Sequence, residues 1–372
     1  MFGRMLVKGT MFLVNIVVVG LLVFTTIASY ISPEKFVLPA FAALIFPVTI
    51  LLNVFFVLFW IIVRKWNFIL SLIVLLFALP QIRTVIPFNI VGLQSNKTSE
   101  VPFKVLSYNV MLFDILAKHT PEKPNQIIEY ILQSNADIVC MQEFAVSSKS
   151  NNNYLTEADI LRIFKKYPYK HIHYNHNENW KKSGIATFSK YPIVSTKNIV
   201  FASGFGTSIY TDIDTGIDTI RVFNCHLESN RLTERDRVLP IELKNDFNTE
   251  NFSGTTKKLS KKLFDAYKIR AAQAQVLSKY IKSSPHQVLV CGDFNDVPAS
   301  YVYNTIKGEL SDAWADTGLG FGYTLNLLIY KFRIDYILYD DSTLQVDKQI
   351  IDKVKFSDHY PIYTNIYFKT SQ

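Results

Sequence analysis

Apolar residues run almost without interruption through the first 90 positions, and from about residue 100 they alternate with polar ones. Met11 to Ile31 is a stretch of 21 residues without a charge. Phe36 to Val63 is another, of 28, with Pro39 and Pro47 in its first half. Each is long enough to cross a bilayer, the second with tilt or a kink. A shorter run, dense in Leu and Ile, begins at Trp66. The pattern predicts about three transmembrane helices, near 11–31, 36–63 and 66–82, in a membrane region over 1–90. Two apolar runs follow the first at once, which argues against a cleaved signal peptide. Arg4 and Lys8 precede the first helix, and Arg64 and Lys65 join the second to the third. The other side carries Lys35, Arg83 and Lys97. This bias places the N-terminus in the cytoplasm and everything after residue 90 outside it.

Residues 91–102 read as a linker and 103–370 as one further domain. Short apolar runs predict strands at 103–110, 136–143, 184–190, 288–292, 333–338 and 361–368. A hairpin around Thr215-Gly216 joins 208–214 to 218–225. Helical spacing covers 124–134 and 258–281. The polar stretch 229–257 is long for a connection in a compact domain and reads as an insertion or lid. Many strands with a few helices predict a two-layer β sandwich flanked by helices. Tyr167, Tyr169, Tyr174 and Trp180 read as edge packing, with a base-stacking or lipid-touching surface as the alternative.

Charge divides unevenly. Residues 1–100 contain two acids, Glu34 and Glu100, against seven Lys/Arg, so the formal +8 splits into +5 there and +3 beyond. A balance of +3 is not the field of a domain that grips nucleic acid mainly by charge. Cys140, Cys225 and Cys291 each end an apolar run, which suggests buried free thiols and no disulfide framework. No zinc-finger spacing and no Walker-type glycine loop occurs.

Chemistry collects at the strand ends. After Val288-Leu-Val-Cys-Gly292, Asp293 and Asn295 project the same way from one rim. A carboxylate beside an amide suits orienting a water and holding a developing oxyanion. Asn109, Glu143, His226, Asp335, Asp358 and His359 complete the set. Singly, each has a plain structural reading: a turn asparagine, a solvated charge, a packed histidine, or, for Asp335 after Arg333-Ile334, half of an ion pair. Together they make sense as hard oxygen ligands for Mg²⁺ or Mn²⁺ beside histidines that move protons at phosphate. No serine or cysteine lies in a nucleophile-elbow context, so water is the expected attacking group.

Six motifs in order carry a resemblance over about 103–368. They are Ser107-Tyr108-Asn109, Met141-Gln142-Glu143, Asn224-Cys225-His226-Leu227, Gly292-Asp293-Phe294-Asn295, Arg333-Ile334-Asp335-Tyr336 and Ser357-Asp358-His359-Tyr360-Pro361. The chain resembles the endonuclease/exonuclease/phosphatase superfamily, which includes deoxyribonucleases, abasic-site endonucleases, neutral sphingomyelinases and inositol polyphosphate 5-phosphatases. The resemblance implies an α/β fold, a four-layer sandwich of two facing mixed β-sheets flanked by helices, with the site at one edge. It makes Glu143 the main metal ligand, with Asn109 and Asp358 at the metal site. Asp293 orients or deprotonates the water, Asn295 holds a phosphate oxygen, and His359 is the essential histidine supported by Asp335. His226 matches the second histidine of the deoxyribonuclease and sphingomyelinase branches, and argues against the abasic-site branch. The expected activity is Mg²⁺-dependent (or Mn²⁺-dependent) phosphoester hydrolysis. Nucleic acid and a phospholipid headgroup are the two substrate classes, phosphomonoesters are an alternative, and Arg231 in the polar insertion is a candidate substrate contact. The bilayer is a partner through the N-terminal helices, and no obligate protein partner is inferred. A catalytically silent binding module is the reading from another class.

Overall fold

The computed structural model describes residues 2–89, 101–117, 119–120, 122–148, 155–204, 206–230, 249–327 and 331–369. Four helices come first: α1 (Phe2–Ala28), α2 (Leu38–Ile62), α3 (Phe68–Phe77) and α4 (Leu79–Val85). Two are long and apolar enough to cross a membrane, and α3 with α4 make a third span only if a pair bent by 67° counts as one. The bend falls where Pro80 enters the first turn of α4. Proline cannot donate to the preceding turn, so the apolar run expected as one helix is broken there. Apolar packing alone does not drive helices together in lipid, and hydrogen bonds between them add hold. Asn15 supplies two. It donates to Ser71 Oγ at 2.7 Å and accepts from Trp60 Nε1 at 2.8 Å, tying α1, α2 and α3 through one buried amide.

Beyond residue 100 the chain folds into two mixed sheets. The seven-stranded sheet has the order β11-β13-β1-β2-β4-β3, with β12 also on β13. Its strands are β1 (Phe103–Asn109), β2 (Ile138–Ser147), β3 (Tyr169–Asn177), β4 (Lys181–Ser189), β11 (Leu344–Val346), β12 (Ile350–Ile351) and β13 (Ile362–Phe368). The six-stranded sheet has the order β5-β6-β7-β8-β10-β9, from β5 (Ile193–Ile199), β6 (Thr207–Asp214), β7 (Thr219–His226), β8 (Gln287–Asp293), β9 (Ser311–Asp312) and β10 (Asp335–Tyr339). The inner faces meet in a core of Val105, Ile138 and Cys140 against Val222, Leu289, Cys291 and Ile337. The outer face of the first sheet is covered by α5 (Gln126–Ser134) and α6 (Glu157–Ile163). The outer face of the second is covered by α7 (Thr249–Lys282) and α8 (Tyr301–Lys307). A short α9 (Ala313–Thr317) follows β9. This is the four-layer sandwich. All three cysteines are buried and free. Tyr167, Tyr174 and Trp180 pack against the first sheet's core, whereas Tyr169 is exposed.

The sandwich sits directly on one end of the helical bundle. Gln275 donates to Glu34 Oε2 at 2.7 Å, and Asn304 reaches Ser29 O at 3.3 Å. Arg333, fully buried, donates to Asp312 Oδ2 and to Thr84 O, both at 2.7 Å. Val297 and Ala299 share a core with Leu22, Ala43 and Phe46. The α1–α2 turn and the end of α4 thus meet the same side of the sandwich.

Candidate active site

Strand register assembles the site. β7 and β8 run parallel with His226 opposite Asp293, and β10 runs antiparallel with Asp335 opposite Asp293. Three polar residues therefore stand at one level across the end of the second sheet. Gly292 permits the close approach: its φ is +137°, and a Cβ there would lie 2.0 Å from Cys225 O. In the first sheet β1 ends at Asn109, and a β-bulge between Gln142 and Phe144 sets Glu143 at φ +51°. The extra residue is left unpaired and shifts the β2–β4 pairing by one, which re-aims the Glu143 side chain. Asn295 has φ +53°, a conformation asparagine tolerates.

Asp293 is the hub. Its Oδ2 accepts from Asn109 Nδ2 at 3.1 Å and from Asn295 Nδ2 at 3.3 Å, and its Oδ1 accepts from the Asn295 backbone N–H at 2.8 Å. His226 Nε2 and His359 Nε2 stand 3.8 and 3.7 Å from Oδ2. Burial raises the Asp293 carboxyl to about 6; Asp335 adds to the rise, and His359 and His226 oppose it. For His359, burial alone would push the imidazole down. Asp335, Asp293 and Asp358 outweigh it and hold the ring well above its ordinary 6.5. The Asp335 contact is a 2.9 Å hydrogen bond to Nδ1.

Glu143 stands between the two sheets. Its Oε1 accepts from Asn109 Nδ2 at 3.3 Å and lies 3.7 Å from His226 Nε2, with the carboxylate partly exposed. Among the described residues, His226 Nε2 is buried without a hydrogen-bond partner. An imidazole nitrogen in that position can donate to an oxygen that enters the site. Asp358 is half-buried, with Oδ1 3.4 Å from Ser357 Oγ. It lines a cavity of about 280 Å³ with Glu143, Asp293, Asn295 and His359. A second cleft of about 440 Å³ lies beyond Glu143 and His226, lined also by His176, Glu178 and Lys181. A groove of about 1740 Å³ elsewhere on the sandwich touches none of these residues. Arg231 lies outside the described residues.

The donor set suits a cation. Among the described residues Asp293, Asp335 and His359 have ligand atoms within 4.8 Å of one another and could hold a metal ion. However, His359 Nδ1 already bonds Asp335. Glu143, with its carboxylate open to the cleft and one long hydrogen bond, from Asn109 Nδ2 at 3.3 Å, is the hard-oxygen position that is least engaged.

Residues 106–359 match the family model described as Endonuclease/Exonuclease/phosphatase family. The chain belongs to that family. Residues 8–85 match a second model, a domain of unknown function (DUF8431). A search of curated protein sequences finds no match. Among solved structures, the chain is similar to the human Nocturnin catalytic domain with bound sulfate (19% identity over 72% of this chain and 95% of that one, TM-score 0.48). It is similar also to an endonuclease/exonuclease/phosphatase family protein from Leptotrichia buccalis (17%, 72% and 100%, 0.49). A third is sphingomyelinase C from Streptomyces griseocarneus (16%, 71% and 99%, 0.42).

Within this endonuclease/exonuclease/phosphatase site the structure brings Asn109, Glu143, His226, Asp293, Asn295, Asp335 and His359 into one constellation, with Asp358 on the same cavity wall. The plain structural alternative for Asp335, half of an ion pair beside Arg333, does not hold: Arg333 binds Asp312, and Asp335 binds His359. Sequence reasoning missed the supports beneath the site. Thr324 Oγ1 accepts from the backbone N–H groups of Ile334 and Asp335 at 3.0 and 3.1 Å. Ser357 Oγ donates to Asn109 O at 2.8 Å and accepts from His359 N at 3.2 Å. Gln142 donates to Asn224 Oδ1 at 2.7 Å, joining the sheets below Glu143. Gln142, Asn224 and Ser357 lie inside the quoted motifs, which was the available signal. Thr324 had none, because it arrives from a loop.

Proposed function

We propose that this chain is a membrane-anchored, divalent-metal-dependent phosphoesterase that hydrolyses phosphodiester bonds by in-line attack of water. One observation carries the reading: a buried carboxylate, Asp293, ringed by two histidines and two asparagine amides at the meeting of the sheets. Asp293 orients a water and takes its proton, and a carboxyl raised to about 6 is a better base near neutral pH than an ordinary aspartate. The water oxygen bonds to phosphorus as the ester P–O bond on the opposite side breaks, and the leaving oxygen ends as the alcohol. His359, kept cationic by Asp335, and the unpartnered His226 nitrogen hold the charge on the phosphate oxygens. Asn295, whose amide now donates to Leu227 O and Asp293, exchanges one of these bonds for a phosphate oxygen. A hard cation, Mg²⁺ or Mn²⁺, held by Glu143 with Asn109 and Asp358, would supply Lewis acidity at the phosphate.

The localisation reading is an enzyme anchored with its site outside the cytoplasm, supported by the basic residues at the opposite end of the bundle from the sandwich. The test uses the full chain in nanodiscs with bis(p-nitrophenyl) phosphate. Turnover with Mg²⁺ that EDTA abolishes, with ¹⁸O from labelled water appearing in the phosphate product, is expected. Turnover indifferent to EDTA, or label in the alcohol, contradicts the mechanism.

A further inference from the structure

The cavity that contains Asp293, Asn295 and His359 is not walled by the sandwich alone. Leu44, from membrane helix α2, lines it, and so do Leu263, Val297, Leu325, Leu327 and Phe332. These apolar side chains share its wall with Glu143, Asp293, Asn295, Asp296, Asp358 and His359. Leu44 is 37% exposed, and one face of α2 continues from it through Val48, Leu51 and Phe55, every one exposed. These residues follow at spacings of four, three and four, a single helical stripe. On an anchoring helix that stripe faces lipid, and Leu44 sets its near end in the wall of the cavity that holds Asp293. Opposite it, α7 is held against α2: Phe41 lies edge-on to Tyr267 at 5.1 Å, and Val37 and Ala40 pack with Tyr267. The other cleft, across Glu143 and His226, offers His176, Glu178 and Lys181. The reacting centre thus opens to two cavities, one with Leu44 of α2 in its wall and one lined by His176, Glu178 and Lys181.

We propose that the substrate is a membrane lipid phosphoester, drawn from the bilayer with its hydrocarbon entering between α2 and α7 past Leu44, and its polar headgroup towards the cleft of His176 and Lys181. This rests on the hydrolytic reading above and names its substrate class. A nucleic acid needs no hydrocarbon in the wall of its site. The reaction balances as ordinary hydrolysis: water adds to phosphorus, one P–O ester bond breaks, and the alcohol and the phosphate product share the water's two hydrogens.

The experiment reconstitutes the full chain in phosphatidylcholine vesicles carrying phosphatidylethanolamine and sphingomyelin, and follows release of water-soluble phosphorus or headgroup. Bis(p-nitrophenyl) phosphate and plasmid DNA are assayed alongside. Leu44→Trp narrows the chamber from α2, Leu263→Trp from α7, and Leu58→Trp, far along α2, is the lipid-facing control. The expected result is lipid hydrolysis, with the ratio of lipid to soluble-ester turnover falling at least tenfold in both chamber variants and unchanged in Leu58→Trp. Soluble-ester turnover with no lipid hydrolysis, or with DNA as the preferred substrate, overturns the inference and leaves the hydrolytic reading standing. A ratio unchanged in the chamber variants, including through equal losses on both substrates, also overturns it. No turnover of any ester by the wild type removes the hydrolytic reading itself.

Discussion

Asp293, Asp335 and His359 work as one electrostatic unit. Asp335 sits 2.9 Å from His359 Nδ1, and both are buried. The imidazolium therefore persists well above pH 6.5, while burial lifts Asp293 to about 6. If the rate needs Asp293 ionised and His359 protonated, kcat/KM rises through the lower value and falls through the higher one. A bound cation moves the acid limb to lower pH. Asp335→Asn removes the strongest support for the charged ring. The alkaline limb should then move to lower pH, with kcat down by on the order of 10²-fold, read from a pH profile of the variant. The same carboxyl has a stability consequence. A group raised from 3.8 to about 6 binds more protons folded than unfolded between those values. Its contribution to stability therefore declines as pH rises through that window. The Tm of Asp293→Asn relative to wild type should be higher at pH 7.5 than at pH 4.5, where both forms are largely neutral at this position.

At the scale of elements, the site depends on how β7 meets β8 and how β2 bulges. Gly292 is the clearest case. Ala there would set a Cβ 2.0 Å from Cys225 O at φ +137°, so Gly292→Ala should cost at least about 2 kcal/mol, seen as a lowered thermal midpoint. The strand ends that carry the chemistry were legible in the sequence, because a short apolar run ending in a polar residue marks both the strand and its rim. β3 and β5 were not. β3 is an edge strand with polar residues at most positions and none fully buried, and β5 is exposed over Val194–Asn198, so neither shows the buried pattern of a central strand. The Glu143 bulge was invisible for another reason: a single extra residue leaves no trace in hydrophobic periodicity. The long helix was expected from residue 258 and begins at Thr249, because polar residues at its start hid the continuation. Arg270, completely buried on that helix, donates to Glu228 O and Asn230 Oδ1, both at 2.9 Å, and reaches Asp296 at 3.4 Å. Such an arginine reads as a solvated charge until the loops it holds are known.

For the whole molecule, the apolar N-terminal helices and the sandwich form one packed body. Arg333 joins them through Asp312 and Thr84 O. Arg333→Met leaves Asp312 buried without its ion-pair partner, which should cost about 3–5 kcal/mol and loosen α4 from the sandwich. Protease cleavage between α4 and β1 in detergent would report it as faster nicking than in wild type. The α1–α2 turn and the end of α4 approach the same side of the sandwich, which fits an odd number of crossings and a C-terminus opposite Arg64 and Lys65. A reporter fused after Gln372 should be active only outside the cytoplasm; activity inside would reverse the proposed orientation. The measurement that bears most directly on the proposed chemistry compares the full chain with Asp293→Asn. Mg²⁺ binding is followed by calorimetry and bis(p-nitrophenyl) phosphate turnover in the same preparation. A folded variant that still binds Mg²⁺ but has lost on the order of 10²–10³ in kcat is the expected result. Turnover within about threefold of wild type, a loss of under 1 kcal/mol, would contradict a mechanism centred on that carboxylate.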